Sequence, residues 1–153
     1  MLNYEIKPLL EEDMFEVYLL IKLTFKDTFF NSKSLGKSIF YYGHSDLGLK
    51  MVVDNKIIGC HIIFDNNLHH IYYENFNIKK EQKGIEGFLF CIHPDYQRKG
   101  YGSAFIEFEK EYFKNKYEYI WGGQDGRLNN SKFWSKHREM IYDEKGSTSL
   151  MLL

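Results

Sequence analysis

The sequence predicts an α/β (α+β) fold, one mixed sheet with helices on its faces, and three observations predict it. Strand-like and helix-like segments alternate along the whole chain. The most apolar strand-like run, residues 85–92, leads through a Gly-containing loop straight into an amphipathic segment. Apolar residues make up 44% of 153 residues, enough core for one domain, since domains usually run about 100–150 residues. With 13 Phe and 12 Tyr, that core must be packed largely through rings.

Residues 3–8 alternate in the manner of a short strand. Glu11, Glu12 and Asp13 then place acids where a helix N-terminus favours them. Met14, Val17, Tyr18, Ile21 and Phe25 follow at spacings of three and four, which is one helix face. Residues 29–48 scatter Asn, Ser and Gly and read as a loop with one short helix near residues 34–42. Residues 49–53 and 57–64 read as strands joined by the turn Asp54-Asn55-Lys56. Asp65-Asn66-Asn67 is a second turn, residues 71–78 read as a further strand, and residues 79–84 as a polar loop. Residues 85–92 suit a central strand covered on both faces. A helix is predicted over 102–115, burying Ala104, Phe105, Phe108 and Tyr112. A strand over 117–121, ended by Gly122-Gly123, a helix over 129–140 and a strand over 147–153 complete the order. No repeat or Pro/Ser-rich linker interrupts it, so residues 1–153 read as a single domain.

A net charge of −1, with lysines and glutamates interspersed, removes the electrostatic case for nucleic-acid or membrane-surface binding. Cys60 and Cys91 both sit in apolar runs and read as buried reduced thiols of a cytoplasmic protein. The N-terminus lacks the pattern of a secretory signal, and no apolar run approaches the ~18–20 residues that span a bilayer. Cys60, His61, His69, His70, Cys91 and His93 lack the close-spaced pairs of a metal site, so no metal is expected.

The chemistry lies in the stretch from Phe88 to Ala104, strand, Pro94, Gly-rich loop, helix. Gly100 and Gly102 let the backbone turn tightly and bring N–H groups together. With the N-terminus of the following helix, those groups suit a diphosphate. The dinucleotide fingerprint fails, because its third glycine falls on Phe105. The phosphate-loop pattern fails as well, because Gly102-Ser103-Ala104 does not supply Gly-Lys-Ser/Thr.

What remains is Q-x-x-G-x-G entered through His93-Pro94-Asp95-Tyr96. This resembles the coenzyme A-binding motif of the GNAT superfamily of N-acetyltransferases, and the likeness is sharpest over residues 85–112. The resemblance implies a mixed, mostly antiparallel sheet flanked by helices, with splayed central strands holding acetyl-CoA. It implies pantetheine contacts at Leu89, Cys91 and Ile92, and pyrophosphate contacts at Gln97, Arg98, Lys99, Gly100, Tyr101 and Gly102. Asn130 is carried over as a further cofactor contact, with helix capping as its competing role.

Acetyl transfer to an amine also needs a proton acceptor. Glu86 matches the general-base glutamate of the histone-acetyltransferase branch. On an otherwise apolar strand, poor hydration would make a carboxylate a better base; the bland alternative is a solvated strand-end glutamate. The family's tyrosine acid on the last helix is replaced by Trp134, and the Gly-Phe after that helix by Arg138-Glu139. The expected function is therefore acetyl transfer to a primary amine of a small molecule or peptide, with a homodimer as the assembly considered. The alternative is a non-catalytic acyl-CoA sensor with the same fold, and a thioesterase-like activity is a third reading.

Overall fold

The computed structural model describes residues 1–25, 47–124, 131–143 and 146–153. Among these the strands are β1 (Glu5–Pro8), β2 (Leu49–Val53), β3 (Lys56–Phe64), β4 (Gly84–Ile92), β5 (Tyr119–Gln124), β6 (Glu139–Asp143) and β7 (Gly146–Leu152). The helices are α1 (Met14–Phe25), α2 (Tyr73–Phe76), α3 (Tyr101–Phe113) and α4 (Ser131–His137). The strands form one sheet in the order β1-β2-β3-β4-β5-β7-β6, mostly antiparallel, with β4 and β5 parallel. The residues group into two compact units, one of residues 1–64 and 89–105, the other of 65–88 and 106–153.

In the first unit, α1 is started by the acids that the sequence placed there. Asp13 accepts from the Leu10 N–H at 2.8 Å and from Lys50 Nζ at 2.6 Å, fixing the entry of the helix against β2. Met14, Val17 and Ile21 are buried as predicted, together with Leu20, against Ile57, Cys60, Ile62, Leu89 and Cys91. The turn between β2 and β3 is two residues, Asp54 and Asn55, at φ 48° and 62°. Those angles are what a type I′ hairpin requires, and short polar residues tolerate them. Lys56, read as turn, is the first residue of β3. Cys60 and Cys91 are buried free thiols with sulfurs 3.5 Å apart. The short helix expected near residues 34–42 lies outside the described residues.

The second unit is built on Leu68, Phe76, Ile78, Tyr119 and Leu150. Four predictions are corrected here. Residues 71–78 do not form a strand but a 3-10 turn, His70–Tyr72, followed by α2, which ends where Asn77 turns left-handed at φ 52°. That winding puts Tyr72, Tyr73, Phe76 and Ile78 against one core, which overrides the β-propensity of Ile and Tyr. Gly122 and Gly123 do not end β5 but lie inside it. A Cβ at Gly122 would stand 2.7 Å from the Gly87 carbonyl oxygen, so the neighbouring backbone demands a glycine. The helix predicted to residue 140 stops at His137, and β6 follows at once, paired to β7 from Glu139↔Leu150 to Asp143↔Gly146. On α3 the buried face is Phe105, Ile106, Glu109 and Phe113; Ala104 and Phe108 are half-buried, and Tyr112 is 51% exposed and stacked on Phe108.

β4 is covered on both faces only near its ends. Glu86 and Gly87 are half-buried and Phe88 is 38% exposed. The parallel ladder with β5 runs for three rungs, Gly84↔Tyr119 to Glu86↔Trp121.

Candidate active site

The loop after β4 is assembled from local chemistry. Pro94 opens a 3-10 turn, Pro94–Tyr96, with its φ already set and no N–H to satisfy. His93 Nδ1 accepts from the Asp95 N–H at 3.1 Å, and its own N–H donates to Ile58 O of β3 at 2.7 Å. Gln97 turns its side chain back, Nε2 donating to the Ile92 carbonyl at 2.8 Å, which pins the loop to the strand end. Lys99 Nζ donates to the Asp95 carbonyl at 2.7 Å. Arg98 and Gly100 take left-handed φ values of 57° and 93°; the second lies beyond the range of ordinary L residues. Tyr101 stands edge-on to Tyr96 and Tyr4, with centroids 5.4 and 6.3 Å away.

The result is a row of donors. Among the described residues, the backbone N–H groups of Arg98, Lys99, Gly100, Tyr101 and Gly102 make no hydrogen bond of good geometry to a backbone carbonyl. The first helical bond of α3 is Ala104 N–H to Gly100 O, at 3.0 Å. Residues 97–100 are exposed, so the donors face water at the positive end of a 13-residue helix. Two cationic side chains, Arg98 and Lys99, flank them. This arrangement fits a diphosphate. Gly100 supplies the turn, whereas Gly102 lies in the first turn of α3.

On β4 itself, Leu89, Cys91 and Ile92 are buried. Because the His93 N–H meets β3 and backbone direction alternates along a strand, the N–H and C=O of Cys91 face β3 and those of Ile92 face away from it. Asn130 lies outside the described residues.

Glu86 is half-buried and held. Its Oε2 accepts from Asn66 Nδ2 at 2.7 Å, and the Asn66 carbonyl accepts from Trp121 Nε1 at 2.8 Å. Asn66 also lines a polar cavity of about 430 Å³ with Asp65, Asn67, Lys83, Lys116 and Tyr117. Tyr117 donates to Asp65 at 3.1 Å, and burial, with that bond, raises its phenol above the usual range. The sequence showed Asp65-Asn66-Asn67 only as a turn; nothing in its spacing pointed to Glu86.

Trp134 is 5% exposed, with the Arg138 guanidinium 4.4 Å above its ring centre. Arg138 is itself buried; Nη1 donates to Ser149 Oγ at 3.3 Å, while Nε and Nη2 have no hydrogen-bond partner among the described residues. Burial pulls this guanidinium down to about 10, against the opposing pull of Glu109. The replacement of Gly-Phe by Arg138-Glu139 was the one signal of this buried charge. Among the described residues, no group of three His, Cys, Asp or Glu side chains is placed to hold a metal, and no helix is long and apolar enough to cross a membrane.

The family model of the Acetyltransferase (GNAT) family matches residues 13–137. No curated protein sequence matches the chain. Among solved structures, it is similar to the PaiA N-acetyltransferase from Thermoplasma acidophilum in complex with coenzyme A, with TM-score 0.68 and 14% identity, covering 99% of this chain and 100% of that one. It is also similar to the ribosomal-protein-S18-alanine N-acetyltransferase from Escherichia coli, with TM-score 0.66, 15% identity and coverage of 99% and 93%. A mosquito arylalkylamine N-acetyltransferase-like protein, 5b, gives TM-score 0.68, 11% identity and coverage of 99% and 100%. At these identities the likeness is one of fold.

Proposed function

Since the chain belongs to the GNAT acetyltransferase family, whose co-substrate is acetyl-CoA, we propose that it is an N-acetyltransferase acting on a primary amine by direct attack. The observation that carries this reading is the row of five N–H groups from Arg98 to Gly102 at the start of α3, none of which makes a backbone hydrogen bond of good geometry among the described residues. We read residues 1–153 as one such domain, and its two unjoined thiols favour the cytoplasm.

Bound there, acetyl-CoA supplies an activated acetyl thioester. The amides of Arg98–Gly102 and the charges of Arg98 and Lys99 hold the pyrophosphate, while Gln97 positions the loop through Ile92. Of Leu89, Cys91 and Ile92, it is Ile92 whose backbone N–H would meet the pantetheine arm, its carbonyl being held by Gln97. Leu89 and Cys91 then contribute packing. Glu86 takes the proton that the amine must lose, a role typically contributing ~10²–10⁴ in rate. Trp134 has no acidic proton to give, so the leaving thiolate is protonated from water.

Acetyl-CoA should raise Tm by mass action, while NAD and ATP leave it unchanged. In Gly102→Glu that shift should vanish at an unchanged apo Tm, because an anion occupies the nest; a persisting shift sinks the loop assignment. The burial of Trp134 favours a second reading, a sensor that binds without turnover. Thiol release from acetyl-CoA over a panel of an alanyl peptide, spermidine, phenylethylamine and glucosamine separates the readings. A transferase releases thiol only with an amine, a thioesterase without one, and a sensor not at all.

A further inference from the structure

We infer that Asn66 is a positioning residue, one side of a three-residue clamp that fixes the Glu86 carboxylate for proton transfer. The inference rests on the reading of Glu86 as the base.

Glu86 and Trp121 are direct partners in the parallel ladder of β4 and β5, so their side chains leave the sheet together on one face. Both reach the same third residue. Trp121 Nε1 donates to the Asn66 carbonyl at 2.8 Å, and Asn66 Nδ2 donates to Glu86 Oε2 at 2.7 Å. The loop is closed: backbone register, indole to backbone, amide to carboxylate. Each link removes a freedom from the next. The indole fixes the backbone of Asn66, the fixed backbone aims its amide, and the amide holds one carboxylate oxygen. Oε1 is left as the oxygen available to an incoming amine.

An extended glutamate that is half-buried has several staggered rotamers, and only one presents Oε1 in a given direction. Holding it there beforehand spares the reaction the cost of ordering it. Tyr117 and Asp65 bond to each other next to this turn, and Asn67 accepts from the Gly84 N–H at 2.8 Å. The segment Asp65-Asn66-Asn67 is thus tied to β4 and to Tyr117, two residues before β5, on both sides of the clamp.

The test needs readouts that a merely structural asparagine would not move. In 15N–1H spectra, the Asn66 side-chain amide should shift in Glu86→Ala, which removes its acceptor. An Asn66 amide that ignores Glu86→Ala overturns the clamp without any acceptor being known. With the panel amine giving most thiol release, Asn66→Ala and Trp121→Phe should each lower kcat about tenfold at unchanged acetyl-CoA affinity. In a Glu86→Gln background, Asn66→Ala should add no further loss, as residues acting through one group are not additive. If Glu86→Gln alone leaves kcat intact, the base assignment has failed. If Glu86→Gln is slow while Asn66→Ala retains wild-type kcat, the clamp alone has failed.

Discussion

Gly122 shows how far a single residue can be dictated by its neighbour. Its added Cβ would stand 2.7 Å from a backbone oxygen, that of Gly87, which cannot swing aside as a side-chain tip could. Gly122→Ala should therefore cost about 1–3 kcal/mol, the range for overpacking a filled site, read as a lower denaturation midpoint at unchanged m-value. Wild-type stability in this variant would show that the two strands are farther apart. The thiols give a second residue-scale expectation. The hydrogen bond to Cys91, with burial, raises Cys60 well above the usual 9.0, so the folded protein holds that proton more tightly than the unfolded chain. Stability should then fall as pH rises past 9.0, where the unfolded thiol ionises, and neither thiol should react with a disulfide reagent until denaturant is added. Trp134 is a packing residue under Arg138, so Trp134→Phe should change kcat far less than loss of a general acid. A fall of ~10² at unchanged KM would make it part of the chemistry.

At the scale of elements, the loop between β4 and α3 carries a prediction that separates its two glycines. Gly100 sits at φ 93°, where a side chain costs about 1–3 kcal/mol, whereas Gly102 is helical. Gly100→Ala should lower the apo Tm and weaken acetyl-CoA binding; Gly102→Ala should leave the apo Tm nearly unchanged. Equal effects would mean that the turn is not made at Gly100. This loop was legible in sequence because its physics is local: a proline, a glycine at positive φ and a helix start each declare themselves. The hairpin at Asp54-Asn55 and the face of α1 were legible for the same reason. Residues 71–78 were not, since Ile71, Tyr72 and Tyr73 have strand propensity and only the core around Tyr119 and Leu150 winds them into a helix. Gly122 misled because the demand for glycine there comes from Gly87, distant in sequence. β6 was hidden because the helical spacing of α4 runs into Arg138 and Met140 without a proline or glycine to stop it. Asn66 was legible as a turn residue and illegible as a partner of Glu86, since sequence spacing says nothing of a bond across 20 positions.

At the scale of the molecule, the boundary between the two compact units falls inside regular elements rather than in linkers. β4 passes from one unit to the other between Phe88 and Leu89, and α3 does so between Phe105 and Ile106. Independent domains are normally joined through exposed, irregular segments; here, melting one unit would break a strand and a helix of the other. We therefore expect a single cooperative transition, with calorimetric and van't Hoff enthalpies equal. The chain offers a direct check. Its two tryptophans, Trp121 and Trp134, both belong to the second unit, while the donors of Arg98–Gly102 belong to the first. Tryptophan fluorescence thus reports the unit that does not carry the loop, and far-UV circular dichroism reports both. Acetyl-CoA at a hundred times its Kd adds about 2.7 kcal/mol to whatever unfolds with its site. If the units unfold as one, the fluorescence and dichroism midpoints coincide without acetyl-CoA and rise together with it. A fluorescence transition that stays put while the dichroism midpoint rises would divide the chain into two domains and confine the cofactor's effect to the first.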